Sequence, residues 1–191
     1  MAKKHIITIA GRPGSGKSTT SHMVAKTLGY KHFSSGDLFR EISLERGMDL
    51  ATSNLNAEKG KSDIDSIVDQ RLCDIGQAEN NIVIDSRIAW HWIPSSFKVY
   101  LNLDMRVAAD RILKDMTPER LKDENVPDNP EEYAAELKKR FDSETHRYTS
   151  FYGVDPSDLD HYNLVVDTAV NNPEQVTSLI VDAYNKWLQA A

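Results

Sequence analysis

Apolar residues fall along the chain in two alternating rhythms. Short β-rich runs end at a glycine or an aspartate, and longer segments with helical spacing follow them. Ile6-Ile7-Thr8-Ile9-Ala10 reads as a buried strand stopped at Gly11, and a helix is predicted from Lys17 to Leu28, stopped by Gly29. His32-Phe33-Ser34 predicts a second short strand, after which Ser35-Gly36-Asp37 opens a helix to about Arg46, with Gly47 as its stop. A longer helix over 63–78, capped by Ser62, places Ile64, Ile67, Val68, Leu72 and Ile75 on one face. Ile82-Val83-Ile84, ending in Asp85, and the run from Val99 to Leu103, ending at Asp104, predict two core strands. A helix is expected over 104–115, a polar loop with three prolines over 116–130, and a densely charged helix over 130–151. Asn163 to Asp167 predicts a last strand. Pro173 sits as a first-turn proline of a helix reaching about Leu188, with Val176, Leu179, Ile180, Ala183 and Trp187 as its core face.

Strands alternating with helices predict an α/β fold, a three-layer sandwich around a mainly parallel central sheet. Two polar, helical segments, roughly 36–80 and 115–150, interrupt the alternation. No internal repeat or low-complexity tract is present. With 191 residues, 40% of them hydrophobic and 27% charged, the chain suits one domain and is too apolar for a disordered one. Nine Gly, seven Pro and one Cys exclude a collagen-like repeat and a disulfide scaffold. No apolar run approaches the ~20 residues that span a bilayer, and the first residues lack a signal-peptide cleavage site. Cys73 is the lone cysteine and cannot form an internal disulfide, so a cytoplasmic location is expected, without membrane attachment. A net charge of -6 argues against coating of nucleic acid but leaves room for a small anionic ligand in a local basic cavity.

Such a cavity has a clear nucleus. Gly11-Arg12-Pro13-Gly14-Ser15-Gly16-Lys17-Ser18 matches G-x-x-x-x-G-K-[ST], between a predicted strand and a predicted helix, with Thr19 following. Glycines let the backbone curl so that amides and the helix N-terminus face phosphate oxygens. Lys17 can reach the β/γ-phosphates, and the Ser18 hydroxyl can hold Mg²⁺. This fixes a nucleoside triphosphate site, with ATP and Mg²⁺ expected, but no reaction. Asp85, ending a strand just before Arg87, is the candidate second Mg²⁺ residue; Asp104 reads as a helix cap. A guanine-reading Asn-Lys-x-Asp segment is absent, and the chain is short for a motor or transport ATPase. Small-molecule kinases remain, in which a second anion needs its own arginines. Of ten arginines, Arg40, Arg71, Arg87, Arg140 and Arg147 fall where that class needs them, with Glu144 between the last two on one helix face. The six histidines show no metal-ligand spacing. Cys73, Tyr148 and Tyr152 read as packing residues. Trp90 and Trp92 read as packing residues or as rings that stack on a base.

These segments resemble the cytidylate kinases, most closely their short, archaeal-type branch. The likeness is carried by Ile9 through Thr19, Ser35-Gly36-Asp37-Leu38-Phe39-Arg40, Glu45-Arg46-Gly47-Met48, Ile84-Asp85-Ser86-Arg87-Ile88-Ala89, and Arg140 through Gly153. It implies phosphoryl transfer from ATP to CMP or dCMP by a monomer. Ser35, Arg87 and Glu144 would read the acceptor nucleotide, with Asp37 and Arg71 beside them. Arg40 would hold its phosphate, and Arg140 and Arg147 would join Lys17 in bridging both phosphate sets, with Arg111 at the start of the lid. The implied organisation is a core of 1–35, 80–114 and 153–191, an acceptor-binding insertion of 36–79, and a lid with its supporting helix over 115–152. Ser86 stands where the family usually has Gly, and Trp90-His91-Trp92 also departs from its pattern. Both bear on the acceptor. Other acceptors (AMP, UMP, shikimate, dephospho-CoA) and a non-catalytic nucleotide sensor stay open at this point.

Overall fold

In the computed structural model the described residues are 4–48, 63–117, 126, 127 and 129–190. Ser62, Arg120 and most of the expected loop over 116–130 lie outside them. Five strands form one sheet: β1 (Ile6–Gly11), β2 (Lys31–Ser34), β3 (Ile82–Asp85), β4 (Phe97–Asn102) and β5 (Leu164–Asp167), in the order β2-β3-β1-β4-β5. Every pairing is parallel. The helices are α1 (Lys17–Leu28), α2 (Ser35–Glu45), α3 (Asp63–Ala78), α4 (Ala89–Trp92), α5 (Met105–Asp115), α6 (Pro130–Tyr152) and α7 (Pro173–Gln189), with a 3₁₀ turn at Leu159–His161.

The period-2 alternation of each strand divides the core into two layers. Ile7, Ile9, Val83, Phe97, Val99, Leu101 and Val166 face α1 and α7, where Val24, Ile180 and Tyr184 complete the layer. On the other face Ile6, Ile82 and Ile84 pack on Ile64, Val68, Leu72 and Ile75 of α3 and on Ile42 of α2. A satellite cluster of Leu103, Ala108, Ala109, Tyr133 and Leu137 joins α5 to α6. The α/β sandwich expected from the sequence is therefore observed, with a fully parallel sheet among the described residues.

Several local expectations need correction. β4 begins at Phe97 rather than Val99 and ends before Leu103, because Phe97 is buried against α7 while Leu103 has already turned into the α5–α6 cluster. Trp90-His91-Trp92 forms the short α4, which the apolar pattern did not mark. Trp90 packs on Ala10 and Tyr100 and stacks on His161, with ring centroids 4.4 Å apart. Ile67 and Leu179, assigned to core faces, are 42% and 45% exposed. Each stands at the edge of its helix's apolar stripe, beside the buried Val68 and Ile180 respectively.

The strand order places a crevice above the C-terminal ends of β1 and β3. Their following connections leave on opposite faces of the sheet, α1 on one and α4 on the other, which is where α/β folds bind ligands. Gly11 closes β1 in a conformation that L side chains avoid (φ 152°), and a Cβ there would lie 2.4 Å from the Leu101 carbonyl oxygen on β4. We expect Gly11→Ala to lower unfolding free energy by about 2 kcal/mol or more, since strain and backbone clash combine. Chemical denaturation of the variant checks this, and an unchanged midpoint would refute it.

Candidate active site

The loop from Gly11 to Gly16 is shaped by what its backbone cannot carry. Gly14 (φ 68°) backs onto Ala108, whose Cβ would lie 3.0 Å from a side chain placed there. The Ser15 hydroxyl donates to the Arg12 carbonyl at 2.7 Å, tightening the curl. Gly16 precedes α1 without a side-chain cap, and no acid occupies the first turn. By contrast α2, α5, α6 and α7 are capped by Ser34, Asp104, Asn129 and Asn172. The free amides of α1 and the positive end of its dipole are thus left for an anion.

Two cavities meet at this loop. The first, about 400 Å³, is lined by Lys17 and Ser18, by Ser35 and Arg40 of α2, by Asp85, Ser86 and Arg87, and by one face each of α3 and α6. The second, about 620 Å³, is lined by Gly14 through Gly16, Thr19, Arg111 and Ile112, and by Thr168, Asn171, Asn172 and Pro173 at the start of α7. Gly16 faces one and Lys17 the other, so the loop is their shared wall.

Parallel pairing puts Ile9 opposite Asp85, which brings the end of β3 beside the loop. The Ser18 hydroxyl donates to Asp85 Oδ2 at 2.6 Å, and the Ser35 hydroxyl to the Asp85 carbonyl at 3.3 Å. Arg87 donates through Nε to Glu144 Oε2 at 2.9 Å and through a terminal nitrogen to the Gly11 carbonyl. Burial works against the Arg87 charge, but Glu144 and its neighbours more than offset this, so its pKa is raised. Arg140, Glu144, Arg147 and Tyr148 share one face of α6 and form a wall of the first cavity. Burial, then Glu144, pushes the Tyr148 phenol above its ordinary value. Lys17 is lowered to about 7 by burial first and by Arg87 second, partly countered by Asp85 and Glu144.

The structure therefore brings together Lys17, Ser18, Ser35, Arg40, Asp85, Arg87, Arg140, Glu144 and Arg147 around one cavity. Gly14, Ser15, Gly16 and Thr19 line the second. Gly11, Arg12 and Pro13 line neither: they form the rising limb of the loop, and Arg12 turns towards the Leu103 carbonyl at 3.3 Å. Asp37 and Arg71 also stand apart from both. The Asp37 carboxylate accepts from Arg40, and its amide donates to the capping Ser34 hydroxyl at 3.2 Å. Arg71 pairs with Glu79 at 3.1 Å and lies over Phe33. Arg111 belongs with the second cavity, donating to the Thr168 carbonyl at 2.5 Å, rather than with the α6 arginines. Asp104 caps α5 as read. Trp90 and Trp92 line neither cavity.

Sequence reasoning missed Asp65, Asp69, Tyr148 and Tyr152 as cavity residues. Asp65 and Asp69 face the first cavity from α3 beside Val68 and Leu72, and Asp69 is 8% exposed. The Tyr152 hydroxyl donates to Asp69 Oδ2 at 2.7 Å. The signal was two acids four apart, flanking the apolar stripe of one helix, a position where a merely solvated pair is not expected.

Curated relatives decide the family. A cytidylate kinase of Halobacterium salinarum is 36% identical over 185 residues, covering 95% of this chain and 90% of its own length. A cytidylate kinase of Sulfurisphaera tokodaii is 33% identical over 187 residues, covering 97% of each. The chain belongs to the cytidylate kinase family. Residues 10–138 also match, and so belong to, the family described as an AAA domain. Among solved structures, a shikimate kinase from Aquifex aeolicus shares the fold, with TM-score 0.58 at 17% identity, over 94% of this chain and 96% of that one. The P-loop of this cytidylate kinase family member is thus an ATP-binding one.

Lys17 yields a pH-dependent expectation. With a free-state value of about 7, it is mostly neutral at pH 8, and a bound polyphosphate favours its charged form. ATP binding should then take up a proton at pH 8, and affinity should fall by up to about tenfold per pH unit above 7. In the free protein the sign is opposite. The native state holds fewer protons at Lys17 than the unfolded chain between about 7 and 10.5, so its contribution to stability grows as pH rises through that window and is lost as pH falls. Calorimetric titration of ATP in buffers of different ionisation enthalpy measures the uptake; none at pH 8 would refute the expectation.

Proposed function

We propose that the protein transfers the γ-phosphoryl group of ATP to CMP or dCMP, giving ADP and CDP or dCDP. One observation carries the reading: two cavities share the P-loop as a wall, and the first gathers Lys17, Arg40, Arg87, Arg140 and Arg147. So many cations in one cavity suit an acceptor that is itself a phosphate, brought against a second phosphate. Such an acceptor is largely ionised at pH 7, because its second pKa is about 6. Its oxygen attacks the γ-phosphorus without a general base, and the bond to the bridging oxygen breaks with its electron pair leaving on ADP. The cavity's four carboxylates fit this division of labour: Asp85 is engaged by Ser18, Glu144 by Arg87 and Asp69 by Tyr152, while Asp65 acts on the charge of Arg147. Positioning and charge neutralisation remain as the enzyme's task.

In this reading the second cavity takes the ATP base and ribose, and the triphosphate crosses the loop to Lys17. Ser18 and Asp85 offer hard oxygen donors at the right place for Mg²⁺, which is usually held by one or two protein oxygens together with phosphates and water. Bound there, the ion supplies charge neutralisation of the β- and γ-phosphates. Arg40 and Arg87 hold the acceptor phosphate. Arg140 and Arg147 stabilise the transferring group, while Ser35 and Glu144 contact the acceptor nucleotide. Asp37 and Arg71 act at one remove, Asp37 by orienting Arg40. Asp69, fixed by Tyr152, offers a carboxylate to the exocyclic amine of cytosine, which uracil lacks. The insertion 36–79 serves the acceptor, and 115–152 supplies the lid and its supporting helix.

A coupled ADP-release assay with ATP and Mg²⁺ should show strong turnover with CMP and dCMP and weak turnover with UMP, AMP, GMP and shikimate. Arg87→Leu should lower kcat/KM for CMP about 100-fold, the effect of removing a charged hydrogen-bonding partner. Preference for another acceptor would overturn the base assignment. ATP binding without turnover of any acceptor would overturn the enzyme reading.

A further inference from the structure

Phe141 has a position on α6 that simple core packing does not account for. Its ring is 8% exposed. The guanidinium carbons of Arg12 and Arg87 each lie 5.9 Å from its centroid. Arg12 comes from the P-loop and Arg87 from the loop after β3, so one ring meets both loops that carry the phosphate-binding groups. Phe141 directly follows Arg140 and stands three residues before Glu144, the partner of Arg87 at 2.9 Å. One short stretch of α6 therefore touches Arg87 twice, through a carboxylate and through a ring.

The chemistry of the site explains why a ring is suited to this place. Both guanidinium groups are partly withdrawn from water: the Arg87 side chain is 20% exposed and Arg12 Nε is buried with no hydrogen-bond partner among the described residues. An aromatic face attracts a cation without offering an oxygen. It holds the arginines in place yet does not compete with phosphate for their N–H groups, as a second carboxylate would. The ring also ties α6 to both loops.

We propose that Phe141 is a positioning residue, whose ring holds Arg12 and Arg87 and so registers Arg140, Glu144 and Arg147 of α6 against the P-loop. The kinetic consequence rests on the phosphoryl-transfer reading above; the geometric one does not. Phe141→Leu keeps apolar bulk and removes the π-face, whereas Phe141→Tyr keeps the ring. The Leu variant should lose about tenfold in kcat with CMP and show a raised KM for CMP, as loss of partly desolvated cation–π contacts implies. Its Tm should stay within a few degrees of wild type, and the Tyr variant should retain wild-type kcat. Independently of turnover, the Arg87 Nε–H NMR signal, sheltered by Glu144, should carry a ring-current shift that Leu abolishes and Tyr preserves. A wild-type kcat and an unmoved Arg87 signal in the Leu variant would overturn the proposal. So would a Tyr variant as impaired as Leu, or a loss of activity that merely follows a fall in Tm. If wild type fails to phosphorylate CMP while the signal behaves as expected, the functional reading fails and the positioning role stands.

Discussion

The parallel register of β1 and β3, with Ile9 opposite Asp85, is the constraint on which the site depends. It sets the P-loop and the Asp85–Arg87 loop side by side at one edge of the sheet. Ser18 can then reach Asp85, and Arg87 can reach back to the Gly11 carbonyl. A one-residue slip would turn Asp85 to the opposite face and away from Ser18. The other neighbour, β4, pins the same loop from its far side, since the Leu101 carbonyl leaves no room for a side chain at Gly11. The burial of Ile7, Ile9 and Leu101 beneath α1 and α7 is therefore also what fixes the geometry of the phosphate cradle.

A cavity built to hold anions must be tolerable when empty, and the protein meets this in several ways. Arg87 is neutralised by Glu144, and Arg40 by Asp37. Lys17, whose charge Asp85 and Glu144 support only in part, instead gives up its proton near neutrality under burial and the repulsion of Arg87. A chain with net charge -6 thus still gathers Lys17, Arg40, Arg87, Arg140 and Arg147 in one cavity, with Asp65, Asp69, Asp85 and Glu144 lining it as their counter-charges.

How far the sequence was legible depended on whether the signal was local. The P-loop needed only adjacent residues and one strand–helix context, and it is found as read. The central strands β1 and β3 were visible because both faces are covered, which makes each a nearly continuous apolar run. Convergence of side chains from distant segments was not visible. Arg40 and Arg71 looked equivalent, each on a helix of the same insertion, yet only Arg40 faces the cavity, while Arg71 pairs with Glu79. Asp65 and Asp69 were passed over because acids on a helix are usually solvated; that Asp69 is buried beside Tyr152 depends on how α6 crosses α3. Ile67 and Leu179 show the limit of periodicity itself, which marks a stripe but not its width.

The strand order has a consequence for how the chain reaches this structure. β1 and β2 are consecutive in sequence, yet neither pairs with the other; β3 lies between them. During synthesis the first strand–helix–strand unit therefore emerges with no sheet hydrogen bonds available to it. No strand can pair until β3, from Ile82 onward, has left the ribosome and inserted between two waiting edges. Every contact that closes the central sheet is non-local, a topology associated with slow folding and with exposed strand edges on the way. The insertion carrying α2 and α3 thus sits at the step that limits nucleation, since its length sets the loop that must close before β1 and β2 acquire their common neighbour.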